Sequence, residues 1–259
     1  MLAKRIIPVI LHKHGQMVKG RGFKANRIIG QALQAASVQA EREVDELLIL
    51  DVTATAEGRE PDYELVKKLS KEFYFPLTVG GGITKDEHVR GLLNAGADKI
   101  CIGSAAIATP HLITRLAEKY GSSTIAVSLD VAKPSGRPDA SASIVTFTSG
   151  GKRTGDLSLS PVGQAKEFQR LGAGEILLQA VDRDGTRQGY DLELIRAITQ
   201  AVRIPVVASG GCGSYEDMRQ AIEAGADAVA AGALWSFTDA TPKGAAKFLH
   251  DNNIEVRLT

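Results

Sequence analysis

Cysteine is scarce. The 259 residues contain two, Cys101 and Cys212, far apart and outside any Cys-x-x-Cys spacing, which argues against a disulfide framework and a cysteine-based zinc site. A reducing, cytoplasmic setting is expected, with no metal or cofactor. Charge of one sign is also missing: Lys and Arg number 31, Asp and Glu 30, and the formal net charge is +1. No global basic field exists to collect nucleic acid or an anionic membrane. Long apolar runs are absent. The stretch 100–114 is free of Asp, Glu, Lys and Arg but contains Ser, Thr, His and Pro, and it falls short of the ~20 apolar residues a spanning helix needs. The apolar run ending at Leu11 is too short, and lacks the small-residue cleavage site, to act as a secretory signal. What remains is 44% hydrophobic and 24% charged, the balance of a globular chain without low-complexity segments.

Short β-branched runs alternate with segments of helical period. The runs cover 4–11, 44–52, 75–79, 99–103, 124–130, 175–181, 204–208 and 228–232. Helical patterns cover 62–73, 86–95, 110–120, 161–171, 192–202 and 215–224, several opened by Asp, Thr or Ser and closed by Gly. Eight strand-helix units in 259 residues suit a closed (β/α)8 barrel better than an open dinucleotide-binding sheet. Neither Gly80-Gly81-Gly82 nor Gly210-Gly211-Cys212-Gly213 spells G-x-G-x-x-G.

An internal repeat supports the barrel. Pro76, Gly81, Gly82 and Gly96-Ala97-Asp98 recur as Pro205, Gly210, Gly211 and Gly225-Ala226-Asp227, each 129 positions on. Glu46 with Glu175, Asp62 with Asp191 and Glu64 with Glu193 keep the same interval. Two half-barrels joined into one domain over 1–259, with no linker between them, is the expected organisation. Two long connections interrupt the rhythm. Residues 13–30 carry Gly15, Lys19, Gly20 and Gly22, and 132–156 carry Pro134, Gly136, Pro138 and Gly150-Gly151. Both leave strand C-termini, the catalytic face of such barrels, and read as lids.

Glycines after the third and seventh strands let backbone N–H groups approach an anion closely. Gly82 with Gly103-Ser104 forms one candidate phosphate cradle, and Gly211 with Ala231-Gly232 its repeat-related counterpart across the mouth; tight turns alone are the alternative reading. Lys19 lies in the lid beside them, and Asp184-Gly185, closing strand six, can reach the second cradle. Such a site suits a substrate with a phosphate at each end. Asp130, closing strand five, is the candidate general acid or base. Asp51, closing strand two, is either a second candidate or a structural carboxylate. At the opposite end Arg5, Glu46, Lys99 and Glu175 stand near the starts of strands one, two, four and six with alternating sign, a pattern for a ring of salt bridges.

These residues, with the strings Met1-Leu2-Ala3-Lys4-Arg5-Ile6-Ile7-Pro8, Thr78-Val79-Gly80-Gly81-Gly82-Ile83, Asp182-Arg183-Asp184-Gly185-Thr186 and Val256-Arg257-Leu258, make the chain resemble the cyclase subunit of imidazole glycerol phosphate synthase nearly end to end. The resemblance implies a partner glutaminase subunit whose ammonia enters the barrel base. It also implies that Arg5, Glu46, Lys99 and Glu175 form the ammonia gate, that Asp98 faces the glutaminase, and that a phosphorylated small molecule reacts at the top. The mouth departs from the family pattern. Leu11 stands where the strand-one catalytic aspartate belongs, Gly103-Ser104 replaces asparagine-threonine, Ala231-Gly232 replaces alanine-serine, and Gln179 replaces a small hydroxyl residue. Period-two alternation turns His12 toward the helices, while His14 lies in the lid. The expectation is ammonia delivery retained beneath altered chemistry, outside histidine biosynthesis, as in divergent copies that serve amidine-bearing surface-polysaccharide sugars. A working cyclase in histidine biosynthesis and a noncatalytic scaffold that activates a glutaminase are the alternatives.

Overall fold

The computed structural model describes residues 3–42, 44–132, 143–147, 153–156 and 160–258. The strands within them are β1 (Arg5–Lys13), β2 (Gln16–Arg21), β3 (Lys24–Gln31), β4 (Leu47–Asp51), β5 (Leu77–Gly80), β6 (Lys99–Ile102), β7 (Ile125–Ala132), β8 (Ser143–Phe147), β9 (Arg153–Asp156), β10 (Glu175–Ala180), β11 (Val206–Ser209) and β12 (Ala228–Ala231). Eight of them, β1, β4, β5, β6, β7, β10, β11 and β12, pair in parallel in that order, and β12 returns to β1 to close the (β/α)8 barrel. They are barrel strands one to eight below. Closure leaves no edge among these eight, so every barrel strand finds a partner on both sides.

Alternation along each strand separates two apolar layers. Ile6, Ile10, Ile49, Ile100, Ile176 and Leu178 point outward and pack under the helices with Leu92, Leu116 and Phe168. Ile7, Val9, Leu48, Cys101, Ala126, Leu177, Val207 and Ala228 fill the barrel interior. Phe168 is fully buried between sheet and helices, and its truncation to alanine would cost ~3–5 kcal/mol.

The repeat is physical as well as sequential. Asp62 and Asp191 each accept a backbone N–H at 3.0 Å, from Leu65 and Leu194, capping the helices Tyr63–Glu72 and Leu192–Thr199. Asp98 accepts the Leu77 N–H at 2.8 Å and Asp227 that of Val206 at 3.1 Å, tying corresponding turns to the starts of β5 and β11. Gly81 and Gly210 both hold positive φ, where a Cβ would strike the backbone oxygen of Asp51 or Ala180.

The first lid expectation changes form. Residues 16–31 make an antiparallel hairpin, β2 on β3, rather than an irregular loop. Its turn places Gly22 and Phe23 at φ 57° and 59°, the two positive values that a tight hairpin turn requires. The glycines suggested a loop, while the fully buried Val18 and the cross-strand ladder favoured the strand. The second connection also contains an antiparallel pair, β8 on β9; Pro134, Gly136, Pro138 and Gly150-Gly151 lie outside the described residues. Among the described residues no helix is long and apolar enough to cross a membrane.

Candidate functional site

The four charges at the strand starts meet at the barrel base. Arg5 pairs with Glu46 at 2.6 Å and with Glu175, and Lys99 pairs with Glu175 at 2.6 Å and lies 3.7 Å from Glu46. Thr78 adds a hydroxyl donated to Glu46 at 2.6 Å. Two cations thus face two carboxylates, a balance that makes the partly buried cluster tolerable. Burial pushes the Arg5 guanidinium down, but the two carboxylates outweigh it and its pKa is raised. Above the ring the interior is apolar, from Ile7, Leu48 and Leu177 to Val9 and Ala230. Asp98 is exposed beside the base.

The mouth holds two adjoining pockets that share Leu11, Gln179 and Asp184. One, of about 170 Å³, contains Gly82, Gly103 and Ser104; the other, of about 30 Å³, contains Lys19, Gly185, Gly211, Ala231 and Gly232. The structure therefore gathers the predicted residues of each cradle around its own cavity. Lys19 reaches the second from the hairpin, with its Nζ 3.4 Å from the Val9 carbonyl oxygen. Burial lowers its pKa to about 8, against the opposing pull of Asp184.

Asp130 opens on the first cavity. Burial raises its pKa to about 6, opposed by the 2.6 Å hydrogen bond from Ser128, so proton exchange near neutral pH is within its reach. Gln179 is level with Asp130 on one neighbouring strand and with Ser209 on the other. Three polar side chains thus form a rung from one cavity toward the other, with the buried Gln179 Oε1 lacking a hydrogen-bond partner. Leu11 is level with Leu50, and both belong to the first cavity wall. The strand-one side of the mouth is therefore apolar.

Asp51 resolves as structural. Its Oδ1 accepts the Thr53 and Ala54 N–H groups at 3.0 Å, and Arg59 bonds to both oxygens. Burial alone would raise its pKa, but His12, Arg59 and the Thr53 N–H prevail and hold it down, the opposite of what an acid catalyst needs. His12 is buried off the mouth, where its Nδ1 accepts the Gly15 N–H at 3.4 Å. His14 is half exposed and lies 3.2 Å from Glu57, and it lines neither cavity. Neither histidine takes the place of an acid at Leu11.

Sequence reasoning gave no role to Phe23, Ser128 and Thr78, and read Ser209 only as part of the Ser209-Gly210-Gly211 cradle. Ser128, two residues before Asp130, and Thr78, which faces Glu46, were reachable by alternation; Phe23 depends on how the hairpin folds over the mouth.

A closed (β/α)8 barrel with glycine turns and a buried carboxyl at the C-terminal ends of its strands defines the class of barrel enzymes that work at that face. The model of one family, described as Histidine biosynthesis protein, matches residues 5–239, and the chain belongs to that family.

Proposed function

We propose that this chain is the barrel subunit of a glutamine-dependent synthase. A partner glutaminase docks at the base around Asp98, its ammonia passes the ring of Arg5, Glu46, Lys99 and Glu175, and it is used at the mouth on a phosphorylated small molecule. The observation that carries this reading is the paired ring beneath an apolar interior that leads to Asp130. Neutral ammonia crosses an apolar column far more cheaply than an ion does, so the ring suits a gate where charge is held back.

The reaction lies outside ordinary histidine biosynthesis. The usual cyclase needs an acid or base on strand one as well as on strand five, and Leu11 can neither donate nor accept a proton. A sugar that gains an amidine group is one acceptor class consistent with nitrogen delivery. Asp130 then serves as the acid-base group at the end of strand five, poised by burial, and Lys19 with the Gly211 and Gly232 backbone receives phosphate. The test is co-expression with a glutaminase encoded nearby. A stable pair with raised glutamine hydrolysis is expected; separate elution in gel filtration together with unchanged hydrolysis would overturn the partnership.

A further inference from the structure

The two cavities at the mouth differ in charge. The second contains Lys19, buried, with its ammonium standing where a Cβ on residue 232 would fall. The glycine at 232 is what leaves that berth. The hairpin carrying Lys19 is held down by the Gly22 N–H, which donates to the Asp184 carbonyl at 3.1 Å. Gly185 allows the same approach, since a Cβ there would overlap the Gly20 carbonyl oxygen.

The first cavity offers an anion little. Among the described residues no Lys or Arg lines it, whereas Asp51 and Asp130 do; Asp184 lines both cavities and is faced by Lys19 only in the second. Its Gly82 N–H is already engaged, donating to Thr55 Oγ1 at 3.3 Å. The helices that follow Gly103 and Gly232, Ser104–Ala108 and Ala233–Phe237, are each five residues long and carry little dipole, so the difference between the cradles comes from Lys19. Leu11, Phe23, Leu50 and Ile83 make part of its wall apolar, and the polar side chains that remain, Thr55, Thr84, Ser104, Ser128 and Gln179, are uncharged.

Resting on the reading of the mouth as the substrate site, we infer that the substrate carries one phosphate, seated on Lys19 in the second cradle, and an uncharged group at its other end, seated in the first. The repeat makes the two cradles alike in backbone; side chains make them unlike in charge. The middle of such a ligand lies over the Asp130-Gln179-Ser209 rung, three polar side chains level with one another on neighbouring strands. Gly232 is then a specificity-determining position, because a side chain there displaces the ammonium that recognises the phosphate.

Backbone amide chemical shifts of the full chain, titrated with inorganic phosphate at neutral pH, test this. The amides of Gly185, Gly211 and Gly232 are expected to shift along one saturating curve while those of Gly82, Gly103 and Ser104 stay in place. Lys19→Met and, independently, Gly232→Val are expected to weaken the curve at least ~10-fold, as loss of a charge-assisted contact does. Saturable shifts at Gly82 and Gly103 of similar affinity would overturn the single-phosphate inference and leave the mouth as a phosphate site. No saturable shift at either cradle would overturn the phosphorylated substrate as well.

Discussion

Lys99 donates to Glu175 Oε2 at 2.6 Å, and the other oxygen of the same carboxylate holds Arg5, so barrel strand six ties strand one to strand four. A plug and a gate respond differently to loss of this link. If the ring only closes the base, breaking it costs up to ~3–5 kcal/mol, and activity falls with the folded fraction. As a gate, Lys99→Met leaves an adequately folded barrel whose glutamine-driven reaction drops while its reaction with added ammonium survives, because external ammonia enters from the open mouth. The gate is the expected outcome, with Glu175→Gln as a second lesion. Thermal unfolding beside both reactions makes the comparison; parallel loss of the two, tracking unfolding, supports the plug.

With ammonium and the usual cyclase substrate, turnover is expected at least ~10²-fold below that of a cyclase with both aspartates, since positioned acid-base catalysis contributes ~10²–10⁴-fold. Leu11 is level with Leu50 and lines both cavities. Leu11→Asp restores a carboxyl at the right height, and partial recovery would trace the defect to this position. No recovery would shift it to Gly103, Gln179 and Gly232. Ordinary turnover by the unaltered chain would remove the case for a reaction outside histidine biosynthesis.

Asp130 predicts a pH signature. Its folded-state pKa, raised by burial to about 6, lies above the ordinary carboxyl value of 3.8. The folded chain therefore binds the extra proton between those values, and stability declines as pH rises through that window. Asp130→Asn removes the buried charge and is expected to raise neutral-pH stability by about 1–2 kcal/mol, with no gain below pH ~4. Denaturant unfolding at acidic and neutral pH checks this. A uniform gain at both would point to packing in place of ionisation.

The proposed docking at the base would give Asp98 a second role, because this exposed carboxylate also accepts the Leu77 N–H at 2.8 Å. Alanine would confound the two roles. Asp98→Asn keeps an acceptor for Leu77 and removes the charge, so the barrel is expected to hold its melting temperature. Affinity for the glutaminase should drop about 3–30-fold, the scale of one interface charge, when the pair is titrated calorimetrically. Unchanged affinity would move the docking contact away from Asp98.

The barrel was legible because its signals are local and repeated. Alternation marked the strands, Asp62 and Asp191 marked the helix starts, and the interval of 129 showed that one half predicts the other. The ring at the base was legible for the same reason: residues at strand starts on the inward phase of a closed barrel converge on its axis, so Arg5, Glu46, Lys99 and Glu175 had to lie close together.

The mouth depended on contacts between segments distant in sequence. Aspartate at a strand end has the same local signature at Asp51 and Asp130, yet Arg59 and two backbone N–H groups bind one while burial beside Ser128 raises the pKa of the other. Lys19 was a candidate from its place in the first lid, but only the folded hairpin shows its ammonium buried against Gly232. Sequence determined the backbone scaffold and its pseudo-symmetry, which arise from periodicity; tertiary packing alone decided where charge sits at the mouth, because pKa and berth depend on what each side chain is pressed against.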